Sequence, residues 1–150
     1  MPKLSTLDVA TLAARFAAQD AGAPLAWFAE VPLSPEAWKQ YRISANDPKG
    51  GHWAPGSKKV EFWRTLGAAV ARAERAPKLS RGRVMVSFRF PARTYTKEVS
   101  NLQPTVKALV DGLVDARVFP EDNDGVVFGQ DARRESLVGP LRMVVMVFGE

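Results

Sequence analysis

Apolar residues along this chain recur at spacings that change from helical to alternating and back. Residues 5–19 (STLDVATLAARFAAQ) predict a helix, with Ser5 or Thr6 as cap and Leu7, Leu12 and Phe16 on one stripe. Ala-Gly-Ala-Pro then breaks it. Residues 25–33 (LAWFAEVPL) predict a strand that ends before Pro35, and residues 34–56 are rich in Pro, Gly, Asn and Ser, the composition of an irregular connection. From Ser57 to Arg75 the pattern is helical: Ser57 offers an N-cap, and Val60, Trp63, Leu66, Gly67 and Val70 recur at helical spacing. Residues 83–90 alternate, with Val84, Val86, Phe88 and Phe90 on one side and Arg83, Met85, Ser87 and Arg89 on the other, which predicts a half-buried strand. A further helix is expected from about Asn101 to Ala116, with Leu102, Val106, Leu109 and Leu113 as its core stripe and Pro104 tolerated in its first turn. Residues 126–128 and 141–148 predict two more strands, the last so continuously apolar that it should lie centrally in a sheet. The order helix, strand, helix, strand, helix, strand, strand implies an α/β or α+β fold: a small mixed β-sheet with helices packed on it. Residues 25–150 form the expected domain, and residues 1–24 an N-terminal helical extension that packs on the domain or on a partner chain.

Composition narrows the chemistry. At 150 residues, 46% hydrophobic and 25% charged, the chain suits one folded domain. It contains no cysteine, which excludes disulfides, thiolate metal sites and a cysteine nucleophile, and fits a reducing cytoplasm. A single histidine, His52, excludes any site that needs two. No apolar stretch is long enough to span a bilayer, and the N-terminus lacks a signal-peptide pattern, so no membrane partner is expected. The net charge of +5 is uneven: residues 1–90 carry fourteen Lys/Arg against seven Asp/Glu, and residues 91–150 seven against nine. A basic front half with an acidic cluster behind it suits a phosphate-binding surface around a cation site, although a solvated surface explains the excess equally well.

The acidic cluster lies between Lys97 and Gly129. Glu98 sits between the alternating strand and the next helix, while Glu121, Asp122 and Asp124 sit in the loop after that helix. If the helix packs antiparallel to the strands, these carboxylates converge at one edge. Oxygen-only ligands suit Mg²⁺, with Mn²⁺ as a substitute, and such a cation polarises a phosphoryl oxygen and activates water. Lys107 would supply a point charge to a phosphate or developing oxyanion. The plain alternatives are solvated turn chemistry for the acidic loop and an i,i+4 surface pair for Lys107 and Asp111.

The same stretch resembles the RusA-type Holliday-junction resolvases. That family carries an acidic D-x-D-N motif after a strand, a helix of the form N-L-x-K-A-x-x-D-x-L, and an acidic D-D loop before further strands. Here the corresponding residues are Glu98-Val99-Ser100-Asn101-Leu102, Lys107-Ala108-Leu109-Val110-Asp111-Gly112-Leu113, and Glu121-Asp122. Upstream, Phe88-Arg89-Phe90-Pro91 and the basic segment after it are similar to the strand and turn before the family's motif. Ser44-Ala45-Asn46, His52-Trp53 and Trp63-Arg64 resemble the S-x-N, H-W and W-R positions of phage-type members. The likeness runs from about residue 40 to 148, and no single motif in it is decisive. It implies a RusA-like fold, a homodimer, branched DNA (a four-way junction) as substrate and Mg²⁺ as cofactor. Glu98, Asp122 and Lys107 would be catalytic, and Glu98 and Asp122, supplemented by Asp111 or Asp124, would hold the metal. The expected DNA-binding set is Asn46, Lys49, His52, Trp53, Lys58, Lys59, Arg64, Arg93, Lys97 and Asn101.

The departures have consequences. Glu98 replaces the family's first aspartate on a longer arm. Ser100 replaces the second and removes a carboxylate, and Pro104-Thr105-Val106 are inserted before the lysine. Three readings of function therefore remain, and the first two are a structure-selective endonuclease of recombination or phage DNA processing and a DNA-junction-binding protein of the same fold that no longer cleaves. A third is a protein-interaction adaptor that uses the first helix. Among the tryptophans, Trp27 and Trp63 are expected in the core, while Trp38 and Trp53 either stack on an unpaired base or fasten the irregular region to the domain. Lys49, Lys58, Lys59 and Arg64 cluster at a helix N-terminus suited to phosphate, or form an ordinary solvated helix end. His52 contacts phosphate or is a surface hydrogen-bonding residue. Gly50-Gly51 is a turn without phosphate-loop spacing.

Overall fold

Four strands pair into one sheet in the computed structural model, which describes residues 23–46, 57–92 and 98–149. The strands are β1 (Leu25–Pro32), β2 (Gly82–Arg89), β3 (Val127–Arg134) and β4 (Arg142–Gly149). The helices are α1 (Pro35–Tyr41), α2 (Lys58–Ala73) and α3 (Gln103–Asp115), the last preceded by a 3-10 turn at Val99–Leu102. The strand order is β1-β4-β2-β3. β4 pairs antiparallel with both β1 and β2, so Val145 lies between Ala29 and Val86. β2 and β3 are parallel, and the 3-10 turn with α3 forms the crossover that parallel neighbours require. The expected α+β architecture with a small mixed sheet is what the chain adopts. The N-terminal helix expected over residues 5–19 lies outside the described residues.

The larger core fills the face on which the helices pack, where Val84, Val86, Phe88, Val145 and Val147 meet Trp38, Trp63, Val106, Leu109 and Leu113. The opposite face carries a second cluster of Met85, Val144, Met146 and Phe148, against which Ala23, Leu25 and Phe28 pack. β2 is therefore not half-buried as its alternation suggests. Met85 and Ser87 on its second side are as fully buried as the valines, and Met85 joins Val144, Met146 and Phe148 in the second cluster.

Two other expectations need correction. The connection at 34–56 contains a helix: Ser34 Oγ accepts from Ala37 N–H at 3.1 Å and Pro35 occupies the first turn, which are ordinary helix-start signals. Trp38 on α1 is only 2% exposed and meets Trp63, Phe88 and Phe90 edge-on or tilted, so it fastens α1 to the core and is not a base-stacking platform. β3 runs to Arg134 rather than stopping at Phe128. It is an edge strand, and beyond Val127 it carries mostly polar residues that hydrophobic patterning does not register. One of them, Asp131, pairs with Arg83 at 2.6 Å across the parallel register.

The two long helices end alike. Arg75 and Arg117 take positive φ (52° and 68°). The following amides, Ala76 N–H and Val118 N–H, donate back to Ala71 and Leu113 at 2.8 and 3.0 Å. This is the bond of a Schellman stop, here with arginine where glycine is usual.

Candidate functional site

The site begins with a close approach of two helices. Gly67 of α2 lies against the Leu109 carbonyl of α3, and Gly112 of α3 against the Arg64 carbonyl and Ala68 amide of α2, leaving no room for a Cβ at either position. That contact sets Arg64 beside Asp115, which its guanidinium grips with two bonds of 2.5 and 2.8 Å. Asp115 is held below the usual carboxylate range, first by the hydrogen bond from Arg64 and then, against the opposing effect of burial, by its charge.

The exposed strip of α3 carries Lys107 and Asp111 one turn apart, with Nζ 2.6 Å from Asp111 Oδ1. After the helix the chain turns back, and Lys107 Nζ also donates to Asp122 Oδ2. Asn123 shapes this return: its Oδ1 accepts from Gly125 N–H (3.0 Å) and Val126 N–H (3.2 Å), and its Nδ2 donates to Glu121 at 2.7 Å. One ammonium thus bridges two carboxylates. Burial pushes the Asp111 carboxyl up. The bond from Lys107 opposes that rise, the adjacent Asp122 adds to it, and the net shift is upward. Burial also acts upward on Asp122, but the bonds from Lys107 and Asp111 outweigh it and hold this carboxyl below its ordinary value. Lys107 is raised despite burial, because both aspartates favour its charged form.

Beside this bridge lies an open cleft of about 820 Å³. Ile43, Val60, Pro104, Ala108, Val127 and Phe128 give it apolar walls, and Arg64, Gln103, Lys107, Asp111, Asp124 and Gln130 supply polar groups. The segment carrying Ile43 is fixed by Thr105, whose Oγ1 donates to Ile43 O at 2.7 Å and accepts from Ile43 N–H at 2.8 Å. Gln103 Nε2 donates to the Gln130 backbone carbonyl, while the buried Gln130 Oε1 has no hydrogen-bond partner among the described residues.

Of the residues singled out from sequence, Lys107, Asp111 and Asp122 meet directly, and Asp124 and Arg64 line the same cleft. Glu98 is exposed at the start of the 3-10 turn, where its carbonyl accepts from Asn101 N–H at 3.2 Å, and it is not among the cleft's lining residues. Among the described residues no three or more His, Cys, Asp or Glu side chains are grouped to hold a metal. The Asn101 carbonyl accepts from Ala45 N–H at 2.7 Å, and Asn46 N–H donates to Ser44 Oγ at 3.2 Å. Lys58 is exposed in the first turn of α2, and Lys59 Nζ donates to the Arg42 carbonyl at 3.3 Å. Lys49, His52, Trp53, Arg93 and Lys97 lie outside the described residues. Trp63 is in the core; Trp27 packs at its margin and donates to Glu74 O at 3.1 Å. Sequence reasoning missed Gln103, Thr105, Phe128 and Gln130. Nothing in their spacing marks them, because the contacts that place them join residues distant in the chain.

Compared with known proteins, the chain matches no family model and no curated protein sequence. Among the described residues no helix is long and apolar enough to cross a membrane.

Proposed function

We propose that this chain is a Mg²⁺-dependent, structure-selective endonuclease of the RusA-like kind, acting in the cytoplasm as a homodimer on four-way or otherwise branched DNA. The observation that carries this reading is the Lys107 ammonium bridging Asp111 and Asp122 at the rim of a cleft lined by further charged groups. Two aspartates that share one ammonium are already positioned to share one small cation, and Mg²⁺ needs only one or two protein carboxylates. Asp122 and Asp111 would hold the ion, with Asp124 as a supplementary ligand and Mn²⁺ as a substitute. A Mg²⁺ ion bound there supplies Lewis-acid activation of a phosphoryl oxygen and of water. Released from the carboxylates, Lys107 turns its positive charge to the phosphate and stabilises the developing negative charge. The apolar walls of the cleft would lie against the substrate beside the reacting phosphodiester, and Arg64 stays beside them through its grip on Asp115. A two-fold dimer presents two such sites to a two-fold junction.

A second reading, a junction-binding protein without cleavage, is favoured by one observation: Ser100 is exposed in the 3-10 turn where a second aspartate would supply a carboxylate. Both readings are tested with a labelled four-way junction against linear duplex in Mg²⁺, Mn²⁺ or EDTA. The nuclease reading expects junction-selective nicking that needs the cation, is abolished by Asp122→Asn and Asp111→Asn, and falls about a hundredfold in Lys107→Met. Tight junction binding with no cutting under either metal leaves the second reading; absence of binding removes both.

A further inference from the structure

We infer that the loop joining β3 to β4 is a wedge that inserts Leu137 and Val138 into DNA at a branch point. This inference rests on the reading of the chain as a branched-DNA protein, and it concerns how the branch is recognised, not how it is cut. Leu137 is 78% exposed and Val138 52%, and with Phe128 they are the exposed large hydrophobic residues of the described chain. Isolated exposed apolar residues are common; two adjacent ones on a loop fixed from both sides are not explained by loose structure.

The fixing is specific. Glu135 N–H donates to Phe88 O at 2.9 Å, Gly139 N–H to Phe90 O at 3.0 Å, and Arg89 Nε to Pro140 O at 2.8 Å. The Arg89 side chain lies so close over Gly139 that a Cβ there would sit 3.0 Å from it. Backbone bonds on both sides of the tip therefore hold the apolar pair outward on the end of β2.

Charge selects the occupant. Arg89 lies under the loop, and the Arg134 guanidinium lies 4.9 Å from the centre of the Phe90 ring, whose backbone holds Gly139. Glu135, the only carboxylate between residues 132 and 141, faces inward to Arg142 with bonds of 2.5 and 3.0 Å. The tip thus presents two apolar side chains on a loop whose roots carry Arg89 and Arg134, an arrangement complementary to bases flanked by phosphates. Wedging a side chain between base steps costs unstacking energy, and that cost is smallest where stacking is already interrupted. A wedge of this kind therefore favours a branch over a continuous duplex. An anionic membrane surface would also accept basic and apolar groups, but such binding usually lays down a whole amphipathic face, and only a loop tip is offered here.

The test uses the full chain in EDTA, so that binding is read apart from cutting. The probe is a four-way junction with 2-aminopurine at the branch, with the same strand in linear duplex as reference and phosphatidylserine vesicles as a separate arm. Wild-type protein should brighten 2-aminopurine at the branch. The double variant Leu137→Ser, Val138→Ser should lose that signal and lower the junction-over-duplex affinity ratio about tenfold, with duplex affinity and Tm unchanged. Leu137→Met, which keeps an apolar tip, should retain both. A double variant that keeps the brightening and the ratio overturns the wedge while leaving the nuclease reading intact. Vesicle binding that disappears in the double variant, with junction preference unaltered, overturns it in favour of a membrane contact. A wild-type protein that binds no DNA removes the wedge and the nuclease reading together.

Discussion

Asp111 and Asp122 touch the same ammonium yet shift in opposite directions, so they titrate as a pair and not as two independent carboxyls. The i,i+4 spacing of Lys107 and Asp111 was legible in the sequence, and so was a return of the chain near Asp122. The place of Glu98 was not, because it depends on the 3-10 turn that precedes α3. Nor does the sequence mark Arg64–Asp115, which joins residues 51 positions apart. That pair yields a prediction at the same scale. Asp115 has a folded pKa below its unfolded value, so its contribution is complete above about pH 4 and is lost as pH falls through the folded value. The groups are 50% and 37% exposed, so solvent screens them. Asp115→Asn should cost about 0.5 kcal/mol at neutral pH. In urea titrations the gap from wild type should close as the pH is lowered to about 2; a gap independent of pH would mean that Asp115 acts through packing.

Helix and strand types were read correctly where apolar periodicity was strong, as in α2, α3, β2 and β4. Where the deciding signal lay elsewhere, α1 was missed and β3 was read as a strand but too short. α1 is short and begins in Pro- and Ser-rich sequence, so its cap was hidden by a loop-like composition. β3 is held by pairing with β2 and by Arg83–Asp131, contacts that come from tertiary structure and not from its own pattern. The α2–α3 contact shows how much an element can depend on a missing atom. In Gly112→Ala the new Cβ meets the Arg64 carbonyl and the Ala68 amide, both backbone and unable to swing away. The variant should lose about 2 kcal/mol, as overpacked cores do, which calorimetry would read as a Tm lower by roughly 4–8 °C. An unchanged Tm would mean that the helices separate at little cost.

Across the whole molecule, the uneven charge seen in the sequence becomes a prediction about association with DNA. If the N-terminal end of α2 carries phosphate contacts, replacing Lys58 and Lys59 with glutamine should weaken binding to any duplex sequence alike. It should also flatten the dependence of log affinity on log salt by about 1.8; an unaltered slope would place the DNA on another face. The sheet order has a different consequence, one of time. β4 joins β1 to β2, and its register partners lie far away in the chain: Leu25 meets Phe148, and Arg83 meets the same residue from the other side. Neither antiparallel ladder can form from a local hairpin, so loop-closure entropy must be overcome before any β4 contact is gained. Folding should therefore be slower than in a helical domain of this length, on the order of milliseconds or longer. Until β4 docks, the edge of β2 that it covers remains open to other chains, which makes refolding yield sensitive to protein concentration.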